Sequence, residues 1–168
     1  MIHVCSLARL HGTVAETGAR HVVTLIKDIS VVRRPPGIEA ANHLLLDMDD
    51  ITAEIEGFVA PCQDHVSQLI GFVQGWDRRK PMVVHCYAGI SRSTAGAFIA
   101  ACTLNPNRNE ALIARQIRDA CVIANPNMRL VTLADQLLAR KGRMIRAIEA
   151  IGPGRPGPEG NPFRLDLE

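Results

Sequence analysis

The sequence predicts an α/β fold, a central and mainly parallel sheet flanked by helices, and three observations carry that expectation. Short apolar, largely β-branched runs (Ile2 to Leu7, His21 to Ile26, Asn42 to Leu46, Met82 to Val84) recur along the first half of the chain. Stretches with helical spacing fall between and after them, and this alternation is the mark of a sheet whose strands are joined by helices. Turn-forming clusters separate the runs, as in Arg33-Arg34-Pro35-Pro36-Gly37, Asn105-Pro106-Asn107 and Asn125-Pro126-Asn127.

At 168 residues the chain is one domain's worth and long enough to bury its own core. We divide it into a compact domain over 1–151 and a Pro/Gly-rich C-terminal tail over 152–168. A net charge of +2 suggests neither a nucleic-acid nor a membrane-surface partner. No apolar run approaches the roughly 20 residues of a membrane span, and the first residues lack the basic-then-apolar order of a signal peptide. Five widely spaced cysteines, an odd number without a Cys-x-x-Cys pair, argue against a disulfide framework or zinc site and for a reducing cytoplasm. The six histidines form no ligand cluster, so neither metal nor cofactor is expected. Nothing in the sequence bears on oligomeric state.

Taken in order, Ile2 to Leu7 reads as a strand and Ala8 to Thr17 as a helix closed by Gly18. His21 to Ile26 and Asn42 to Leu46 are the next strands. Asp47 to Pro61 is irregular, with Pro61 suited to the first turn of a helix. That helix carries Val66, Leu69, Ile70, Val73 and Trp76 on one face. Phe58, inside the irregular stretch, is expected in the core rather than in a lid. Met82 to Val84 is a buried strand, and Thr94 to Leu104 a helix ended by Asn105-Pro106. Glu110 to Ala120 is a further helix. Asn127 caps the next one, whose stripe runs from Leu130 through Leu133, Ala134, Leu137 and Leu138 to Ile145 and Ile148. In the tail, Phe163, Leu165 and Leu167 alternate as an extended segment would.

Between the Met82 strand and the Thr94 helix lies Cys86-Tyr87-Ala88-Gly89-Ile90-Ser91-Arg92. A strand that wraps a short loop onto a helix N-terminus converges backbone N–H groups at the positive end of the helix dipole. Such a cradle suits a phosphoryl group, and the Arg92 guanidinium adds paired donors. The same field favours the ionised, nucleophilic form of the Cys86 thiol. Gly89 permits a backbone course closed to other residues, and Ser93 can offer its hydroxyl to the sulfur. His85 is better placed to shape the loop than to act as a base. In parallel sheets ligands sit beyond the carboxyl ends of the strands. That rule selects Asp47, Asp49 and Asp50, which follow the third strand, as the acids able to protonate a leaving oxygen, and puts Asp77 to Lys80 at the opposite edge.

His85-Cys86-x-x-Gly89-x-x-Arg92-Ser93 resembles the signature of the cysteine-based protein tyrosine phosphatases, and residues 1 to 150 resemble their compact dual-specificity branch. The resemblance implies a phosphatase-like fold. It also implies hydrolysis of phosphate monoesters of proteins (phosphotyrosine or phosphoserine/threonine), or of small phosphomonoesters, through a phosphocysteine on Cys86. Arg92 and the loop from Tyr87 to Arg92 would bind phosphate, and Ser93 would support the sulfur. Among the three aspartates it points to Asp50, with Asp49 and then Asp47 behind it. It also likens Arg115 through Asn127 to the family's closing segment, with Asn127 near the phosphate or the hydrolytic water. The loop holds no lysine, which argues against a phosphoinositide headgroup. Three other readings stay open on the residues alone: a phospho-ligand-binding module without turnover, a sulfurtransferase, and an arsenate reductase.

Overall fold

The structure, a computed structural model, describes residues 1–167. Strands β1 (Ile2–Ser6), β2 (His21–Leu25), β3 (His43–Leu46), β4 (Met82–Cys86) and β5 (Phe163–Leu165) form one sheet in the order β3-β2-β4-β1-β5. Four strands are parallel, and β5 runs antiparallel to β1 at the edge. The register sets Ser6 beside Cys86 and Thr24 beside His85. The centre of the sheet therefore ends in the signature stretch. All five residues of β4 are buried, as expected of an unbroken apolar run covered on both faces.

The two faces are covered unequally. Helix α1 (Leu10–Thr17) packs Leu10 and Val14 against Cys5, Val22 and Val83. The other face carries α2 (Gln63–Gln74), α3 (Arg92–Leu104), α4 (Glu110–Ala120), α5 (Met128–Leu137) and α6 (Arg143–Ile151). Helix α3 is wedged between the sheet and α2, α4 and α5, and its residues Arg92 to Cys102 are all buried. A helix covered all round can carry small apolar residues on every side. Gly96 brings it close, since a Cβ there would lie 3.0 Å from Val84 Cγ1. Among the described residues no helix is long and apolar enough to cross a membrane.

Four local expectations need correction. The first helix is shorter than read, because a 3-10 turn (Leu7–Arg9) precedes α1. Pro61 lies outside α2, where Cys62 is the N-cap and its N–H donates to His65 Nδ1 at 3.2 Å. Phe58 is 55% exposed and belongs to no core. The stripe from Leu130 to Ile148 spans two helices rather than one. The chain reverses at 138–142, where Ala139, Lys141 and Gly142 have positive φ and Asp135 accepts from the N–H groups of Gly142 and Met144. Arg140 fixes the turn by donating to Cys102 O at 2.6 Å and Glu110 Oε1 at 3.0 Å.

Candidate active site

The loop after β4 is held from outside. Tyr87 O accepts from Leu7 N–H (3.1 Å) and Ala88 O from Gly160 N–H (2.9 Å). Ile90 O accepts from Asn125 N–H (2.9 Å), and Ser91 O from Asn127 N–H (3.2 Å). Thr94 Oγ1 adds bonds to the Ile90 and Ser91 carbonyls at 2.6 and 3.0 Å. A trans peptide is planar with its C=O and N–H on opposite sides, so each tethered carbonyl turns the next N–H inward. None of the N–H groups from Tyr87 to Ser91 donates to a protein acceptor among the described residues. Gly89 has φ 72°, and a Cβ there would meet the Cys5 carbonyl carbon and Ser6 N at 2.9 Å. No other residue fits that corner. The result is a ring of free donors at the N-terminus of α3, a setting for an anion.

Cys86 ends β4 at the floor of this ring, 2% exposed, with its Sγ 3.1 Å from Ser93 Oγ. Arg92 is 8% exposed and donates from Nη1 to Met48 O at 2.8 Å, while its Nε is buried without a partner. An orphaned buried donor beside a ring of unpaired N–H groups is costly unless an anion completes it. His85 is fully buried, its Nε2 2.6 Å from Thr24 Oγ1 and its Nδ1 3.4 Å from Cys86 O. Thr24 Oγ1 is also 2.8 Å from His43 Nε2. Burial pushes both imidazoles down to about 4, so each is neutral near pH 7. His85 thus braces the base of the loop as a neutral hydrogen-bonding group.

The three aspartates after β3 have different surroundings. Asp47 pairs with Lys27 at 3.2 Å, and Asp49 Oδ2 accepts from Val59 N–H at 2.7 Å. Neither lines the pocket that contains Cys86. Asp50 does: its Oδ1 accepts from Ser91 Oγ (2.7 Å) and from Asn127 Nδ2 (2.8 Å). Asn127 also caps α5, accepting from Leu130 N–H at 3.1 Å. Asn127 thus caps α5 and also lines the pocket beside Asp50.

The open cleft around Cys86 has a volume of about 1040 Å³, far more than a phosphoryl group fills. Its lining includes Ile51 to Ala53, Ile55, Met128, Ile148, Pro153 and Pro158. Among the described residues its ionisable lining beyond Cys86 and Tyr87 is Asp50, Arg92 and Glu149, so Arg92 is the one cation among them. The tail wall, Glu149 and the His43–Thr24 pair are residues that sequence reasoning missed. Only the tail had a signal: the alternation of Phe163, Leu165 and Leu167 implies a strand, and a strand beside β1 carries the preceding residues past the loop. Burial pushes the Cys5 thiol up to about 12. Among the described residues no group of three or more His, Cys, Asp or Glu is placed to hold a metal ion.

Residues 6–107 match a family model described as a polymorphic toxin system DSP-PTPase phosphatase. No curated protein matches the chain. Human DUSP28 is similar in structure with a TM-score of 0.64 at 18% identity, covering 83% of this chain and 89% of that one. The PTP-2 phosphatase of Cydia pomonella gives 0.62 at 18% identity over 80% and 84% of the two chains. The human tyrosine phosphatase-like serine/threonine/tyrosine-interacting protein also gives 0.62 at 18%, over 83% and 92%. At this identity the likeness is one of fold.

Proposed function

The chain belongs to the DSP-PTPase phosphatase family of polymorphic toxin systems, and from that premise we propose that it hydrolyses phosphate monoesters through a phosphocysteine on Cys86. The observation that carries this reading is the ring of inward, unpaired N–H groups centred over Cys86, with the unpartnered Nε of Arg92 beside it. The phosphoryl oxygens take the loop donors and Arg92, which bear the charge that spreads over them during transfer. The Cys86 thiolate attacks phosphorus as the ester P–O bond breaks, and the leaving oxygen takes a proton from Asp50. Oδ1 of Asp50 is occupied by Ser91 and Asn127, which leaves Oδ2 to carry that proton. In the second step the Asp50 carboxylate accepts a proton from water as its oxygen attacks phosphorus. The S–P bond then breaks and the electron pair returns to sulfur, where the Ser93 hydroxyl can donate to it.

The protein substrates expected are phosphotyrosine or phosphoserine/threonine side chains. A pocket much larger than phosphate, lined partly by apolar side chains and, among the described residues, by Arg92 as its one cation, supports an organic leaving group over a polyanionic one. The test is a panel of phosphopeptides, aryl phosphates, nucleotides and phosphoinositides with wild type and Cys86→Ser. Wild type should turn over the peptides and aryl phosphates, and Cys86→Ser should lose turnover while still binding them. Turnover that survives Cys86→Ser contradicts the covalent route. Binding without turnover by wild type makes the protein a phospho-ligand module.

A further inference from the structure

We infer that the segment 152–160 is a working part of the phosphate site and that Gly160 is a positioning residue for the phosphate loop; the inference rests on the phosphatase reading above. Sheet register brings the segment there. β5 is antiparallel to β1 with Phe163 opposite Val4, so the chain just before Phe163 continues past Ser6, the neighbour of Cys86. Ser6 Oγ donates to Glu159 Oε1 at 2.5 Å, and the Gly160 N–H donates to Ala88 O at 2.9 Å. Among the described residues no other group bonds to that carbonyl. Because the peptide is planar, holding the Ala88 C=O outward aims the Gly89 N–H at the loop centre. One of the donors that would meet a phosphoryl oxygen is therefore set by a residue of the tail.

The fit leaves no slack. A Cβ on residue 160 would lie 2.7 Å from Gly89 O, and one on residue 154 would lie 2.5 Å from Ile123 O and Ala124 O. Both glycines are required by close approach to backbone. The far end of the segment is clamped by Arg118, whose two terminal nitrogens donate to the carbonyls of Ala124, Ile151, Gly152 and Pro153 at 2.8–3.2 Å. Arg155 N–H adds a bond to Val122 O at 2.9 Å. Between the two anchored ends, Pro153, Gly157 and Pro158 line the pocket that holds Cys86. A tail that served only to cover the sheet needs apolar side chains, which Phe163, Leu165 and Leu167 supply. Gly160 contributes none, and its contacts run to the phosphate loop.

The test compares wild type, Gly160→Ala and Leu167→Ala as full chains, measuring Tm, p-nitrophenyl phosphate kinetics and inhibition by vanadate. Leu167→Ala removes buried apolar contact at the end of the tail, so it should lower Tm and leave kcat/KM and the vanadate Ki as in wild type. Gly160→Ala should lower kcat/KM and raise the vanadate Ki by about 10–100-fold, because a loop donor is misdirected. A semisynthetic chain with glycolic acid in place of Gly160 replaces the N–H by an ester oxygen without adding a side chain. It should raise the vanadate Ki about tenfold whether or not Gly160→Ala folds. Gly160 variants that lose Tm yet keep the wild-type Ki and kcat/KM overturn the inference. Should wild type bind vanadate without hydrolysing the ester, the phosphatase reading fails, and the vanadate Kd, measured directly by titration calorimetry on the same variants, decides the role of Gly160.

Discussion

The loop from Cys86 to Arg92 and the loop from Asp47 to Pro61 face each other across the pocket, and they are held in opposite ways. The first has four carbonyls tied to separate parts of the chain: the start of the 3-10 turn after β1, the approach to α5 (at two points) and the tail. The second is pinched at its base by paired bonds between Asp49 and Val59 and then bulges into solvent, with Ile55, Phe58 and Val59 exposed. Its contacts to the first loop are few. Arg92 reaches Met48 O and Ser91 reaches Asp50, while Asn127, the cap of α5, reaches Asp50 and, at 3.3 Å, Ile51 O. On the phosphatase reading proposed above, the difference suits the two tasks. A cradle for charge must be fixed before the substrate arrives, whereas a proton donor must meet leaving groups of varied size.

If that division of labour holds, damage to the two loops should be told apart by the leaving group. The largest effect expected from the second loop is that of Asp50→Asn on unsubstituted phenyl phosphate. Its rate should fall by about 10²–10⁴-fold. With p-nitrophenyl phosphate, whose oxygen leaves without help, the loss should be much smaller. Asp49→Asn and Asp47→Asn should show no such dependence on the leaving group. If one of them does and Asp50→Asn does not, the acid is that residue.

Arg92→Lys should cost about 10²–10³-fold equally on both esters, since a lysine cannot reproduce the guanidinium fork that serves every phosphoryl group. A loss confined to phenyl phosphate would place Arg92 with the acid and erase the contrast. Asn127→Ala, which removes the bonds to Asp50 and Ile51 and the α5 cap but keeps the backbone bond to Ser91 O, should be milder. About 1 kcal/mol of stability should go with the cap, and the rate loss on phenyl phosphate should stay below that of Asp50→Asn.

The smallest effect expected concerns the base of the first loop. His43 and His85 share the Thr24 hydroxyl, and burial pushes both down to about 4 from an ordinary 6.5. As pH falls through 6.5 the unfolded chain takes up protons that the folded chain refuses until near 4. Stability present above pH 6.5 should therefore decline as pH falls toward 4. Tm measured across that range should slope less in His43→Gln than in wild type, and equal slopes would remove the pair from the loop's support.

The same contrast decides what was legible in the sequence. The first loop is read from one continuous stretch, because strand, turn glycine, arginine and helix lie within 23 residues, Met82 to Leu104. The parallel sheet was legible for the same reason, since each strand is a local apolar run. The second loop was legible only as three candidate aspartates. What separates Asp50 from Asp49 is contact with Ser91 and Asn127, 41 and 77 positions away. The break between α5 and α6 was hidden because the apolar stripe keeps its spacing across it. The polar cluster of Asp135, Arg140 and Glu110 that fixes the turn forms only in the folded chain. Phe58 was misjudged because a large apolar residue is usually buried, and the bulge carries it outward instead.

Trapping the intermediate tests the Cys86 route most directly. Asp50→Asn should still form a phosphoenzyme from p-nitrophenyl phosphate, whose oxygen leaves unaided, but should hydrolyse it slowly for want of a base. Rapid acid quench followed by peptide mass spectrometry should find a phosphoryl adduct on the peptide bearing Cys86, formed in step with a burst of nitrophenol. A burst with the adduct on another residue, or steady turnover with no adduct in either Asp50→Asn or wild type, would contradict it.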